Sequence, residues 1–155
     1  MKKKFKTTVK SMVLIFVILV FTAGIRLLYL EVQGNFHPVT AGIAYRSAQL
    51  DKIKLERYIR QYHIASVINL RGQDPGKKWY EEEIGVCKKL NVVHYNLGFS
   101  DDMSPTSQQL INLFYLFFNA PRPILFHCKA GADRAGLASA LWKLVVEKRS
   151  FSEAQ

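Results

Sequence analysis

Between residues 43 and 148 the chain alternates short apolar runs with longer stretches of helical periodicity, and this alternation restricts the fold more than any other feature. IAYRS (43–47), ASVINL (65–70), VVHYN (92–96) and ILFH (124–127) are rich in β-branched and aromatic residues and have the length of strands. The stretches between them carry apolar residues every three or four positions. After Asp51, placed as a helix cap, these are Leu55, Tyr58, Ile59 and Tyr62. A helix over about 78–90 would turn Ile84, Cys87 and Leu90 inward, and one over about 106–119 would turn Leu110, Leu113, Phe114 and Phe117. A last helix, from Arg134 to about 148, would bury Leu137, Leu141, Leu144 and Val145. Arg71-Gly72, the Asp74-Pro75-Gly76 turn, Pro121 and Pro123 supply the breaks. Strands separated by helices pair in parallel through crossovers. The pattern therefore predicts an α/β fold, a single domain with a largely parallel central sheet flanked by helices.

A different kind of segment precedes it. MKKKFKTTVK holds five lysines and no acid, and residues 12–30 then form an apolar run that only Arg26 interrupts before Glu31 ends it. As a helix the run would be roughly 28 Å long, close to a bilayer's hydrocarbon thickness. The sequence thus predicts a basic cytoplasmic N-terminus (1–11) and a transmembrane signal-anchor helix (12–30), with a cleaved signal peptide as the alternative. Thr22-x-Gly24 is only a passable cleavage site and no A-x-A follows, which favours the anchor. Lysines stay on the cytoplasmic side, so both readings place the rest of the chain outside the cytoplasm, on the periplasmic or external side of the cell membrane. Residues 31–42 (EVQGNFHPVTAG) read as a linker, and 43–155 as the domain. SFSEAQ (150–155) reads as the first turn of a further helix capped by Ser152, so a truncated C-terminus is expected.

The formal net charge is +10, and the five N-terminal lysines supply half of it. Those serve topology and anionic headgroups. The remainder is scattered over Glu-containing helices without a basic stripe interleaved with aromatics, which argues against a nucleic-acid partner. Two cysteines, with no C-x-x-C and no histidine pair at ligand spacing, argue against structural zinc.

The chemistry concentrates in FHCKAGADRAG (126–136). Cys128 ends a predicted strand and Arg134 opens a predicted helix, the edge at which open α/β sheets bind ligands. Lys129, Ala130, Gly131, Ala132 and Asp133 are mostly small, so their backbone amides can turn inward as an anion nest. The helix N-terminus adds its positive end, and Arg134 a planar fork that matches two phosphate oxygens. Sulfur facing such a cradle is favoured as a thiolate, which suits it to nucleophilic attack. Each part fits one ligand, a tetrahedral oxyanion in line with sulfur.

HCKAGADRAG resembles the Cys-x5-Arg signature of the cysteine-dependent protein tyrosine phosphatase superfamily. AYRSAQL, SVINLRG and LRGQDPGKKWYEEE are similar to segments of its compact bacterial dual-specificity-like members, so the likeness spans about 43–155. A rhodanese-like sulfurtransferase also uses a loop cysteine, but on a typically shorter loop. The resemblance implies that Cys128 is the nucleophile of a phosphocysteine mechanism and Arg134 the phosphate clamp. It implies that the backbone of residues 129–134 binds phosphate, that His127 supports loop and thiolate by hydrogen bonding, and that no cofactor or metal takes part. The resemblance implies a phosphorylated protein or an inositol or lipid phosphate as substrate; Lys129 could add charge beside a multiply phosphorylated one. The general acid falls to Asp101 or its neighbour Asp102 in GFSDDMSP, with Asp101 ahead and Asp74 in reserve. Ala135 stands where the superfamily usually has Ser or Thr, whose hydroxyl helps to expel the thiolate. That departure leaves open a pseudophosphatase that binds phosphate with little turnover. Cys87 reads as a core residue, and a protective Cys87–Cys128 disulfide stays open.

Overall fold

The computed structural model describes residues 2–100 and 104–154. They fall into two compact units that divide between Gln33 and Gly34. The first holds helix α1 (Lys2–Val32), about 46 Å long at helical rise. Its described apolar side chains are exposed, Phe16 at 66% and Phe21 at 68%. Among the described residues no helix is long and apolar enough to cross a membrane. The side chains of Val13, Leu27 and Leu30, all members of the apolar run, fall outside that description.

The second unit is built on strands β1 (His37–Thr40), β2 (Ala44–Ser47), β3 (Ser66–Asn69), β4 (Val93–Asn96) and β5 (Ile124–His127). Their order is β1-β2-β5-β3-β4, with β1 antiparallel to β2 and every other pair parallel. Helices α2 (Lys52–Tyr62), α3 (Lys78–Lys89), α4 (Ser107–Asn119), α5 (Asp133–Val145) and the short α6 (Phe151–Ala154) complete it. The largely parallel α/β sheet is the one the alternation predicts.

The inner strands β3 and β5 are buried along their whole length, whereas the edge strands β1 and β4 are not. Side chains alternate across the pleat. Ile124, Phe126 and Cys128 join Ala44, Ile68, Phe117, Ala138 and Trp142 on the α4–α5 side. Leu125 joins Tyr45, Leu55, Val67, Val86 and Cys87 on the α2–α3 side. β5 lies between β2 and β3, so Ser47 and Asn69 both flank His127 in register. The carboxyl end of β5 is thus central.

Four expectations need correction. Residues 31–42 are not simply a linker: α1 runs to Val32, His37–Thr40 form edge strand β1, and Phe36 stacks on Tyr58 with ring centroids 4.2 Å apart. Pro38 hid the strand, since proline lacks a ladder donor and is tolerated only at an edge such as this. In α3 the inward face is Tyr80, Glu83, Val86 and Cys87, with Ile84 and Leu90 only half-buried. In α5 it is Ala135, Ala138 and Trp142, whereas Leu137 is 38% exposed. Two alanines bring that helix close to the sheet, and the fully buried Trp142 ring fills the space beyond them. Finally, Ser152 lies inside α6 rather than capping it; Ser150 precedes the helix, and its N–H and Oγ donate to Glu153 Oε2 at 3.0 and 2.7 Å. Asp51 caps α2 as expected, accepting from Lys54 N–H at 2.8 Å.

Candidate active site

Cys128 is the first residue beyond β5 and is 2% exposed. The loop that follows is held from outside by its carbonyls. Lys129 C=O accepts from Gln49 N–H at 3.1 Å, and Ala130 C=O accepts from Asn35 Nδ2 at 3.0 Å. With those carbonyls tied outward, the amides can turn in, and Gly131 N–H donates to Cys128 Sγ at 3.2 Å. Gly131 has φ +71°, and a Cβ there would lie 2.5 Å from Ala48 N and 2.7 Å from Ser47 C. Only glycine fits both the conformation and the space.

Helix α5 starts at Asp133 with Ala132 as its N-cap and no side-chain cap bond, an end suited to an anion. Half-buried Arg134 donates from Nη1 to the Phe99 carbonyl at 3.2 Å, which ties the guanidinium to the segment after β4. Lys129, Ala130, Ala132 and Asp133 are exposed around it. Asp101 and Asp102 lie outside the described residues. Asp74 sits in the turn before α3, where its carbonyl accepts from Lys77 N–H.

His127 points to the opposite sheet face from Cys128, and its ring bonds differ from those the resemblance implied. Nε2 meets the Glu83 carboxylate at 3.1 Å, and Nδ1 is buried without a hydrogen-bond partner among the described residues. Glu83, 3% exposed, also accepts from His94 Nε2 at 2.7 Å and Gln49 Nε2 at 2.7 Å. Burial acts to raise the Glu83 carboxyl. The His127 charge and the bonds from His127, His94 and Gln49 outweigh it and hold the group well below the usual carboxylate range. An ionised carboxylate only accepts, so each imidazole Nε2 must carry its hydrogen. Behind Gln49, whose Oε1 accepts from Arg71 Nη1 at 3.1 Å, the Arg71 guanidinium lies 3.6 Å from the Trp79 ring centroid. Asn69 braces the same turn by accepting from Arg71 N–H at 2.8 Å and donating to Gly72 C=O at 2.8 Å.

Glu83 was missed in the sequence, although a signal exists. Of the three acids in WYEEE it alone shares a face with both Tyr80 and Cys87, at i+3 and i−4.

Residues 29–149 match the family model described as the tyrosine phosphatase family. The chain belongs to that family. Among solved structures the phosphatase is similar to the core catalytic domain of the PP-IP phosphatase SIW14 from S. cerevisiae, with TM-score 0.65 and 21% identity over 77% of this chain and 71% of that one. It is also similar to P. aeruginosa TpbA in complex with pTyr, with TM-score 0.61 and 20% identity over 78% of this chain and 69% of that one. PTPMT1 gives TM-score 0.60 and 23% identity over 77% of each chain. Among curated proteins none matches significantly.

The phosphatase is a cysteine-dependent enzyme, and its two cysteines differ sharply in setting. Both are free, and they sit in the clusters on opposite sheet faces, so the disulfide left open by the sequence is not formed. Burial and then the Glu83 charge push the Cys87 thiol up to about 12, which disfavours its thiolate. Ala135 is fully buried in the cluster that contains Cys128.

Proposed function

We propose that this phosphatase hydrolyses phosphomonoesters through a phosphocysteine on Cys128, with Arg134 clamping the phosphoryl group. The observation that carries the reading is the Gly131 amide donating to Cys128 Sγ at 3.2 Å, because it turns an amide from within the 129–134 loop towards the sulfur. Sulfur attacks phosphorus in line, and the P–S bond forms as the ester P–O bond breaks. Arg134 bridges two non-bridging oxygens, and the loop amides take the rest. Asp101, with Asp102 beside it, gives its proton to the departing oxygen. The bond between Arg134 and the carbonyl of Phe99, two residues before Asp101, supports drawing the acid from that loop. Water then attacks phosphorus, the carboxylate takes a water proton, and phosphate and thiolate separate.

Breakdown is the slow half. Thiolate departure usually gains from a hydroxyl at position 135, and buried Ala135 offers none. Product should therefore appear as a burst followed by slow turnover. Ala135→Ser should speed the slow phase by about 5- to 100-fold, equivalent to about 1–3 kcal/mol from a charge-assisted hydrogen bond. Rapid-quench kinetics decide: no burst and no gain in the variant mean that breakdown does not limit the rate.

The substrate reading covers phosphotyrosine or dual-specificity substrates and phosphoinositide-type ones. SIW14 is named as a PP-IP phosphatase and TpbA was crystallised with pTyr, so proteins of this fold take chemically different phosphorylated ligands. The test is phosphate release by the full chain in detergent from phosphotyrosine and phosphoserine peptides, inositol phosphates and phosphoinositide vesicles. Release from one class identifies the substrate; tight binding of phosphate with no release from any transfers the reading to a phosphate-binding module.

The same reading anchors the protein in the cell membrane through residues 12–30, with the catalytic domain outside the cytoplasm. Exposed apolar side chains along α1, from Met12 to Val32, support it, and the five preceding lysines set the direction. A reporter fused after Thr40 should behave as extracytoplasmic, with the protein in the membrane fraction. A cytoplasmic reporter removes this placement, and a shortened soluble product means a cleaved signal.

A further inference from the structure

Three motifs that the loop chemistry does not absorb, AYRSAQL, SVINLRG and WYEEE, meet behind the catalytic loop through Gln49, Arg71 and Glu83. We infer that Glu83 is a positioning residue: one buried carboxylate holds both residues that brace the backbone on either side of Cys128, an assignment that rests on Cys128 being the nucleophile. On the upstream side, Glu83 meets His127 Nε2 at 3.1 Å, and His127 directly precedes the nucleophile. On the downstream side, it accepts from Gln49 Nε2 at 2.7 Å, and the Gln49 N–H holds the carbonyl of Lys129, directly after the nucleophile.

The chemistry explains why the clamp is a carboxylate. Two oxygens receive three donors, from Gln49, His94 and His127, and glutamine would turn an NH2 group towards one of them. At 3% exposure, water cannot easily stand in for a lost acceptor. His94 approaches from β4 and donates to the carboxylate, and among the described hydrogen bonds it makes none to the loop, so the network has one arm that reaches the nucleophile's neighbours and one that does not. A loop position that drifts by about 1 Å costs on the order of a hundredfold in rate, so loss of the first arm should weigh more on catalysis than loss of the second.

The experiment compares Glu83→Gln, His94→Gln and Cys128→Ser in the full chain, reading kcat, KM, thermal midpoint and the alkylation rate of Cys128 by iodoacetamide per folded molecule. Alkylation of Cys128→Ser measures any contribution from Cys87, the one other cysteine. Glu83→Gln should lower kcat by about 10- to 100-fold with a smaller change in KM, and slow alkylation in parallel. His94→Gln, which leaves the carboxylate and its bonds to His127 and Gln49 in place, should lower the midpoint and reduce kcat less than Glu83→Gln does. A Glu83→Gln protein that loses only thermal stability, with wild-type kcat and alkylation per folded molecule, overturns the inference. If that variant does not fold, Gln49→Leu cuts the downstream link to Glu83 together with the Gln49–Arg71 bond, and keeps the backbone N–H on the Lys129 carbonyl: reduced kcat and alkylation support the inference, and wild-type values overturn it. Activity retained in Cys128→Ser instead removes the nucleophile assignment, whereas an inactive Cys128→Ser beside a normal Glu83→Gln removes only the positioning role.

Discussion

Cys128→Ser should lower kcat by roughly four to six orders of magnitude while leaving the affinity for inorganic phosphate within about threefold. A serine hydroxyl keeps its proton at neutral pH, and the described surroundings offer no base to take it. His127, the nearest imidazole in sequence, faces the other side of the sheet and spends its Nε2 on Glu83. The anion cradle survives the substitution because it is made of other atoms: the amides beyond Lys129, the uncapped start of α5 and the Arg134 fork. Oxygen is smaller than sulfur and can still accept from Gly131 N–H, so the fold should tolerate it. Phosphate-release kinetics and competition by inorganic phosphate measure the two quantities. Appreciable turnover in the variant eliminates the phosphocysteine mechanism, and loss of phosphate affinity with turnover would move the anion site away from this loop.

How much of this was readable beforehand depends on how local each feature is. β3 and β5 were legible because both are buried on both faces, β2 and the edge strand β4 because short β-branched and aromatic stretches sit between helical periods, and the placement of residues 128–132 between β5 and α5 because strand, loop and helix are contiguous in the chain. β1 was not, since a four-residue edge strand carrying Pro38 lacks the donor and the apolar content that mark a strand. The phase of α5 was misjudged for the opposite reason. Leucine content pointed to Leu137 and Leu144, but close approach to the sheet selected Ala135 and Ala138. Glu83 illustrates the limit best. Its partners come from the β2–α2 segment, β4 and β5, so only the assembled sheet shows that this acid, among three in a row, turns inward to two histidines and a glutamine.

Gly131→Ala should be the most damaging change of a single methyl group. Two effects add at this position. A φ of +71° costs an L-residue about 1–2 kcal/mol by itself. The new Cβ would also stand 2.5 Å from Ala48 N and 2.7 Å from Ser47 C, both backbone atoms where β2 ends. A side chain could swing away, but this backbone is fixed by the pairing of Ser47 with His127 in the sheet, so the loop itself must give. Its displacement pulls the Gly131 amide from Sγ and spoils the oxyanion cradle. The expected result is a loss of about 2–4 kcal/mol in stability and at least about a hundredfold in kcat. Gly76→Ala is the matched control: φ is +84° there, nothing lies within 4 Å of the new Cβ, and the turn is remote in sequence from the loop. It should cost only the backbone term, about 1–2 kcal/mol, with kcat unchanged. Chemical denaturation and steady-state kinetics on both variants separate strain from collision. Equal stability losses and intact turnover in both would mean that the loop does not pack on the end of β2 and that the sulfur is held by something other than the Gly131 amide.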